Sequence, residues 1–460
     1  MRNTTSPDAQ SIEAEVSVNK PSVARAGLFI FPAVVVTLVS VLLFEHLKGL
    51  PAEGFNAFSV TILVAIVTSL VSVTAMQILV YRIVEDHNYF KESPGARSVW
   101  IGLAYCLLST LAISTIMYFF LMRVAGVTTQ DFFYFAVLHF LFSAIWVLTS
   151  AFWATGRYLY PSLVFSISYV FVYIFTYVTY RLAPSEIIVG YALGIGLLFV
   201  ILLFGAARVF PWPKSGLKLF RDLVNLPKID NLTRWAIAFS ILYTLSIFLD
   251  KILVWIYQGA QTGSGLLVTG TYTTGAFLGL VPLFSVGTAA FFTSRTQQLV
   301  DDRYKGTLSA LERRSARYQQ IYWKIFGITL LVAVGLLLVV VAGSMLFNQS
   351  SDTISVIVIL GIGCIFLSGI VFNSSVLPIL GLTAYSVLAV SVVVIAELAA
   401  YPFFSHDVRF AAVGFAAGSF TGFVISCMVT RRGLSHFSSN IFRLLSLDTL
   451  KMLNQKRGHL

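Results

Sequence analysis

Twelve apolar stretches of membrane-spanning length divide this sequence, and they constrain its fold more than any other feature. Each is long enough to cross the roughly 30 Å hydrocarbon core of a bilayer as a helix that rises about 1.5 Å per residue. With 57% hydrophobic and 11% charged residues, the chain has too few charged side chains for a water-soluble domain. The sequence therefore predicts an all-α polytopic membrane protein whose spans lie at residues 26–44, 57–80, 99–121, 132–153, 160–180, 187–206, 235–257, 271–292, 323–346, 354–377, 384–404 and 410–429.

The positive charges lie almost entirely on one side of the predicted membrane. Of the 31 Lys and Arg residues, 26 fall in the N-terminal arm, the even-numbered connections and the C-terminal tail. Lys48, Arg123, Arg181 and Arg409 lie on the other side, and Lys251 lies inside a span. Since cytoplasmic loops carry such an excess of cations, we expect both termini in the cytoplasm. The charge of +11 then faces anionic lipid headgroups, and no nucleic-acid partner is expected.

A basic connection at residues 207–234 divides the chain into two sets of six spans. We expect a cytoplasmic arm at 1–25, a first six-helix bundle at 26–206, a second at 235–429 and a basic amphipathic tail at 430–460. Two such bundles joined by a cytoplasmic linker are the plan of many secondary transporters.

Proline residues inside three of the spans are expected to kink their helices. Pro32 lies in the first span, Pro161 in the fifth and Pro282 in the eighth. A proline removes one backbone hydrogen bond from a helix, and neighbouring helices can compensate for this inside a bundle.

Away from the ends of the predicted spans, four Asp, Glu, Lys or His side chains lie inside them. Asp250 and Lys251 belong to the seventh span, Glu397 to the eleventh and His139 to the fourth. An ionised group at such a place costs at least about 2.5–3.5 kcal/mol, so it needs a wet cavity or a charge partner. Because adjacent helix positions point about 100° apart, we expect Asp250 and Lys251 to pair with other helices, with Glu397 as a partner for Lys251.

The charged pair has two open interpretations, a transport pathway or gate and a structural bridge between helices. A pathway role predicts that Asp250→Ala impairs transport at normal protein abundance, whereas a structural bridge predicts that both fall together. For His139 the pattern favours a hydrogen-bonded packing residue over a pathway group.

Two basic stretches outside the spans have apolar residues at helical spacing. One covers residues 308–322 and includes Arg313, Arg314 and Arg317; the other lies in the C-terminal tail. Helices of this kind can lie on the membrane surface or dock a cytoplasmic partner. The alternative is that they are water-facing extensions of the adjacent spans.

Motifs of catalysis and metal binding are absent from the sequence. It has no glycine-rich phosphate loop, no His-Glu zinc helix and no Gly-x-Ser-x-Gly turn. We therefore expect neither an enzyme nor a bound cofactor or metal, and any polymer synthesis would come from another chain.

One part of the sequence carries a family resemblance. The run 243–251 reads Tyr-Thr-Leu-Ser-Ile-Phe-Leu-Asp-Lys and is followed by Trp255, Tyr272, Phe277, Leu278, Pro282, Phe291 and Phe292. These residues resemble the PelG family, the membrane transporters of Pel exopolysaccharide systems, which is grouped with the flippases of the MOP superfamily.

The resemblance implies a multi-pass subunit of the bacterial inner membrane that transports a polysaccharide or oligosaccharide. Its implied partners are a cytoplasmic glycosyltransferase and accessory membrane subunits. Such a path needs aromatic groups that stack on sugar faces, so Tyr243 joins Asp250, Lys251, Glu397 and His139 as a transport-path candidate.

Two alternatives to polysaccharide transport stay open. The first is a MATE-like or MFS-like secondary transporter of lipid-linked sugars or small solutes. The segment Asp302–Gly306 resembles the basic loop of MFS transporters, but the glycine that precedes it there is absent. The second is a membrane scaffold that anchors a polysaccharide synthase through its basic helices.

Overall fold

The computed structural model describes Val39, Leu43, Leu47 and residues 52–90, 94–123, 127–157, 159–212, 231–262, 270–286, 308–346 and 348–437. Within these ranges the regular structure is helical and there is no strand. Ten of the helices are long and apolar enough to cross a membrane, which confirms an all-α polytopic protein.

The helices are named α1 to α11 in chain order. They are α1 Ala52–Phe90, α2 Pro94–Arg123, α3 Thr129–Ala154, α4 Leu159–Leu182, α5 Ile187–Val209, α6 Asn231–Thr262, α7 Thr271–Gly279, α8 Leu308–Leu346, α9 Ser351–Val376, α10 Thr383–Ala400 and α11 Phe410–Ser435. Short 3₁₀ helices lie at Pro184–Glu186, Val281–Val286 and Tyr401–Ser405.

Ten of the twelve predicted spans coincide with these helices. The first predicted span, 26–44, lies outside the described residues apart from Val39 and Leu43, and the eighth is described only as far as Val286. The arrangement of twelve helices in two bundles, the domain boundaries and the cytoplasmic termini therefore stay predictions.

Polar side chains fix where two of the spans begin. At the start of α3 the hydroxyl of Thr128 accepts a hydrogen bond from the backbone N–H of Asp131 at 3.2 Å. At the start of α9 the hydroxyl of Ser350 accepts one from the N–H of Thr353 at 3.2 Å. Each first turn also carries an aspartate, Asp131 or Asp352, and the positive end of the helix dipole stabilises its negative charge.

The prolines act differently from one another. In the eighth predicted span, where a kink was expected, α7 ends at Gly279 and a 3₁₀ helix that contains Pro282 follows. The kink expected at Pro161 is wrong. Pro161 occupies the first turn of α4, where a backbone N–H has no helical acceptor and proline removes no hydrogen bond. Pro32 lies outside the described residues.

Helix α8 is much longer than its predicted span, because residues 308–322 continue into it without a break. Near the charged end, the Tyr318 ring lies 5.0 Å from the Phe437 ring and the Gln319 side chain donates to the Leu434 carbonyl at 2.7 Å. This stretch is therefore an extension of a span, packed in part against the end of α11.

The buried apolar side chains form separate cores along the chain. Helices α1 to α5 share the first core, in which Trp255 of α6 also takes part. Helices α6, α7, α9, α10 and α11 share the second core. A third cluster, around Tyr322 and Phe372, joins α8, α9 and α11. Helix α6 thus contacts both the first and the second core.

A row of glycines lets α11 approach α10 closely. A Cβ atom at Gly418 would lie 2.8 Å from both the Ala396 Cβ and the Val393 Cα, and one at Gly414 would lie 2.6 Å from the Ala400 Cβ. Small residues four positions apart commonly permit such contact between membrane helices. The close approach places α11 directly against the part of α10 that carries Glu397.

Candidate functional site

Asp250 and Lys251 lie in the second core, and both side chains are completely buried. The Lys251 Nζ is 2.8 Å from the Asp250 Oδ1, so the expectation that these neighbours cannot pair is wrong. The reason is the flexible lysine side chain, which folds back along α6 and also donates to the Ile247 carbonyl at 2.7 Å. The angle of 100° between adjacent helix positions prevents contact between short side chains more than between long ones.

The second carboxylate oxygen of Asp250 is held from another helix. The Tyr272 hydroxyl of α7 donates to the Asp250 Oδ2 at 2.7 Å, and Tyr272 itself is buried. Each oxygen of Asp250 therefore has a donor. Sequence reasoning missed this role of Tyr272, since the two residues are 22 positions apart and no local pattern connects them.

Glu397 of α10 lies beside this pair. Its side chain is buried, and it interacts electrostatically with both Asp250 and Lys251. Neither of its carboxylate oxygens has a hydrogen-bond partner among the described residues. The structure thus brings Glu397 and Lys251 together as predicted, but the ion pair of Lys251 is with Asp250. We call Asp250, Lys251, Tyr272 and Glu397 the carboxylate–lysine cluster.

Two further helices, α11 and α9, carry residues near the ammonium group of Lys251. The Phe415 ring of α11 has its centroid 5.9 Å from the Lys251 Nζ. Cys364 of α9 is buried and within electrostatic range of Lys251, Asp250 and Glu397. Burial of an ion pair costs several kcal/mol per ion, which the hydrogen bonds around it only partly offset.

Helix α6 also contacts the first core. Trp255 is part of that core, and Ile252 and Ile256 pack against it. The Trp255 indole also donates to the Thr273 hydroxyl of α7 at 3.0 Å. At the far end of α6, the Arg82 side chain of α1 donates to the Thr233 hydroxyl at 2.6 Å. Helix α6 therefore carries the buried charges and also contacts the helices of the first core.

Tyr243 lies two turns before the cluster on α6. Its ring stacks on the Phe239 ring with centroids 6.0 Å apart, and it interacts electrostatically with Cys364. It packs against the second core, close to the cluster. Its role in a transport path stays a prediction.

His139 lies apart from the cluster, in the first core. Its Nδ1 is 2.9 Å from the Thr110 hydroxyl of α2, and its Nε2 is 3.3 Å from the Ser72 hydroxyl of α1. These contacts join three helices, as expected of a hydrogen-bonded packing histidine. A role for His139 in transport stays a prediction.

The basic residues proposed to dock a partner lie in the first turns of α8. Arg317 is exposed, whereas the side chains of Arg313 and Arg314 lie outside the described part of the structure. The segment Asp302–Gly306 and the C-terminal tail beyond residue 437 are outside it as well.

A partly exposed ion pair contrasts with the buried one. In the connection between α10 and α11, the guanidinium of Arg409 lies 2.6 Å from the Asp407 Oδ2 and 3.5 Å from the Asp352 Oδ1. Slight burial acts to raise the pKa of the Asp407 carboxyl, but the hydrogen bonds and charge of Arg409 outweigh it and lower that pKa. These groups are partly exposed, so water screens them.

We expect Tyr272→Phe to lower the midpoint of thermal unfolding, because the Asp250 Oδ2 loses its donor. A hydrogen bond to a charged group contributes about 1.5–3 kcal/mol. Thermal unfolding of the purified protein in mild detergent measures the change. Tyr385→Phe, which alters an exposed tyrosine of α10, is the matched control. Equal midpoints for the two variants would show that the Tyr272 hydroxyl does not hold Asp250.

Ten long apolar helices define a multi-pass membrane protein, and an ion pair and a further carboxylate are buried among them. The fold is similar to that of MATE transporters of known structure. An outward-facing multidrug resistance MATE transporter of the MOP superfamily is 15% identical, with a TM-score of 0.65 over 90% of this chain and 95% of its own. A eukaryotic MATE transporter, AtDTX14, is 12% identical, with a TM-score of 0.66 over 91% and 97%.

The family model for PelG, the exopolysaccharide exporter (EPS-E), matches residues 22–442. The chain therefore belongs to the PelG family, and its function is transport of exopolysaccharide across a membrane. A comparison with curated proteins found no match.

Proposed function

We propose that this chain moves an exopolysaccharide across the bacterial inner membrane by a flippase-type cycle. In this cycle two six-helix halves, 26–206 and 235–429, rock against each other and open a path alternately to each side. Both termini, the linker 207–234 and the tail 430–460 face the cytoplasm, as the distribution of Lys and Arg indicates. The chain contributes transport and no catalysis of its own.

The observation that carries this proposal is the place of α6. Asp250 and Lys251 of α6 contact Tyr272 and Phe415 of the second core, and Trp255, one turn further along α6, belongs to the first core. A change in the buried charges therefore acts on the helix that joins the two halves. This is the physical requirement for coupling an event inside one half to movement of the other.

Polymer reaches this path from a separate cytoplasmic glycosyltransferase with accessory membrane subunits. We assign their docking to the first turns of α8, where Arg313, Arg314 and Arg317 lie on a helix that extends beyond its span. Anionic headgroups also meet these cations. A transporter of lipid-linked sugars or small solutes and a synthase scaffold are the competing functions.

Deletion of the gene in its own host, followed by complementation, tests the function. We expect deletion to abolish secreted polysaccharide while the glycosyltransferase stays at normal abundance, and the unaltered chain to restore secretion. Secretion that persists without the chain would contradict polysaccharide transport. Affinity purification from native membranes adds a check, since recovery of a glycosyltransferase supports the polymer over small solutes.

Replacing Arg313, Arg314 and Arg317 together with Gln separates transport from scaffolding. We expect this variant to lose the glycosyltransferase on purification and to secrete less polymer. Neutralisation of Asp250 and Lys251 should block secretion and leave the glycosyltransferase bound. A scaffold predicts the opposite for the second variant, with secretion unaffected by loss of the buried charges.

A further inference from the structure

Glu397 is a buried carboxyl group whose two oxygens both lack a hydrogen-bond partner among the described residues. Its side chain is 1% exposed. An ionised carboxylate that leaves water without donors is strongly destabilised, and the usual outcome is that it becomes neutral. In contrast, Asp250 nearby has a donor on each oxygen and an ammonium group beside it.

A count of the charges also indicates that one carboxyl group of the cluster is neutral. The titratable groups that face Glu397 are Asp250 and Lys251 of α6, Tyr272 of α7 and Cys364 of α9. With the tyrosine and the thiol neutral, two carboxylates share one ammonium group, so full ionisation leaves one uncompensated negative charge. A single proton restores neutrality.

We propose that the carboxylate–lysine cluster carries one exchangeable proton, held by Glu397 while Lys251 is paired with Asp250. Release breaks the Glu397 O–H bond, leaves the electron pair on the carboxylate and passes the proton to water. Two carboxylates then compete for one ammonium group, and Lys251 turns towards Glu397. This inference rests on the proposed transport function and names the ion that drives it.

A proton fits this site better than a metal cation. The ammonium of Lys251 already occupies the position of a cation among the acidic groups, where it repels a second one. The described residues contain no group of three His, Cys, Asp or Glu side chains that could hold a metal ion. The charge on Glu397 is therefore neutralised by covalent protonation.

The geometry also connects the proton to movement. To reach Glu397, the Lys251 Nζ gives up its bonds to the Asp250 carboxylate and the Ile247 carbonyl. The next residue along α6, Ile252, packs against the first core. Loss and gain of the proton therefore change the forces on the helix that contacts both halves.

Infrared difference spectroscopy of the full chain in lipid nanodiscs detects the proton directly, without any polymer. We expect a carboxylic-acid C=O band at neutral pH that disappears as the pH rises, is absent in Glu397→Gln and persists in Glu186→Gln. Glu186 lies in a 3₁₀ helix between α4 and α5 and serves as the control. A band that is unchanged in Glu397→Gln would overturn the proposal.

Two further measurements distinguish loss of the proton site from a folding defect and from binding of sodium. Glu397→Asp keeps an acidic group, so we expect it to restore a pH-sensitive band. Thermal unfolding in sodium and in choline salts should give equal midpoints, and a sodium-dependent rise that Glu397→Gln abolishes would overturn the proton in favour of sodium. Glu397→Gln should secrete less polymer than the unaltered chain. If the unaltered chain secretes no polymer yet shows the band, the transport function fails and the proton site stands.

Discussion

Asp250→Ala is expected to destabilise the protein by about 3–5 kcal/mol, because it leaves the ammonium group of Lys251 buried without its counter-ion. The Tyr272 hydroxyl loses its acceptor in the same step. The midpoint of thermal unfolding and the yield of folded protein should therefore both fall. Loss of abundance in this variant is consequently no proof that the pair is only structural.

A surface variant provides the comparison. Asp352→Ala removes one partner of an exposed ion pair, where the Asp352 side chain is 69% exposed, and pairs of this kind contribute only about 0–1 kcal/mol. We expect its unfolding midpoint to stay near that of the unaltered chain. Similar midpoints for Asp250→Ala and Asp352→Ala would contradict the buried pair.

The double variant Asp250→Asn with Lys251→Met separates stability from transport. It removes both charges together, and the loss of an entire buried ion pair is often neutral or stabilising. We expect normal abundance with blocked secretion. Normal secretion by this variant would show that the pair is a structural bridge and would remove it from the transport path.

Gly418→Val is expected to have the next largest effect, because the new side chain would collide with α10. The Cβ atom alone would lie 2.8 Å from the Val393 Cα, which belongs to the backbone and cannot rotate away. Overpacking of this kind costs about 1–3 kcal/mol or more. We expect a lower yield of folded protein and a lower midpoint of thermal unfolding, with Glu397 displaced from Lys251.

Gly335→Val is the matched control for this substitution. Gly335 lies within α8 on an exposed face, and a Cβ there meets no atom within 4 Å. The two variants share the same chemical change within a helix, and they differ in burial and in steric contact with a neighbouring helix. Equal yields and midpoints would contradict the close packing of α10 and α11.

Much of the fold could be predicted because the bilayer restricts what a chain can do. Backbone groups in lipid must bond within their own segment, so an apolar run such as 354–377 becomes a helix, here Ser351–Val376. The ends of the helices were less predictable. Hydropathy detects only apolar residues, whereas α8 begins at Leu308 and includes a charged stretch before its apolar span. The wrong prediction for Pro161 has the same origin, because the effect of a proline depends on its distance from the start of the helix.

The candidate site was predictable in part. Asp250, Lys251 and Glu397 were identified because ionisable residues are costly inside spans, and the structure places all three in one cluster. The pairing was not predictable. The sequence favoured Glu397 as the partner of Lys251, whereas a flexible lysine side chain reaches its own neighbour Asp250.

The sequence by itself determined that this chain is a helical membrane protein with buried charges, because hydropathy and charge are properties of single residues that lipid and water select directly. Only the tertiary structure decided that Tyr272 holds Asp250, that Glu397 has no hydrogen-bond donor among the described residues, and that α6 contacts both cores. These contacts join residues far apart in the chain. They depend on how helices pack, and packing is a property of many side chains together.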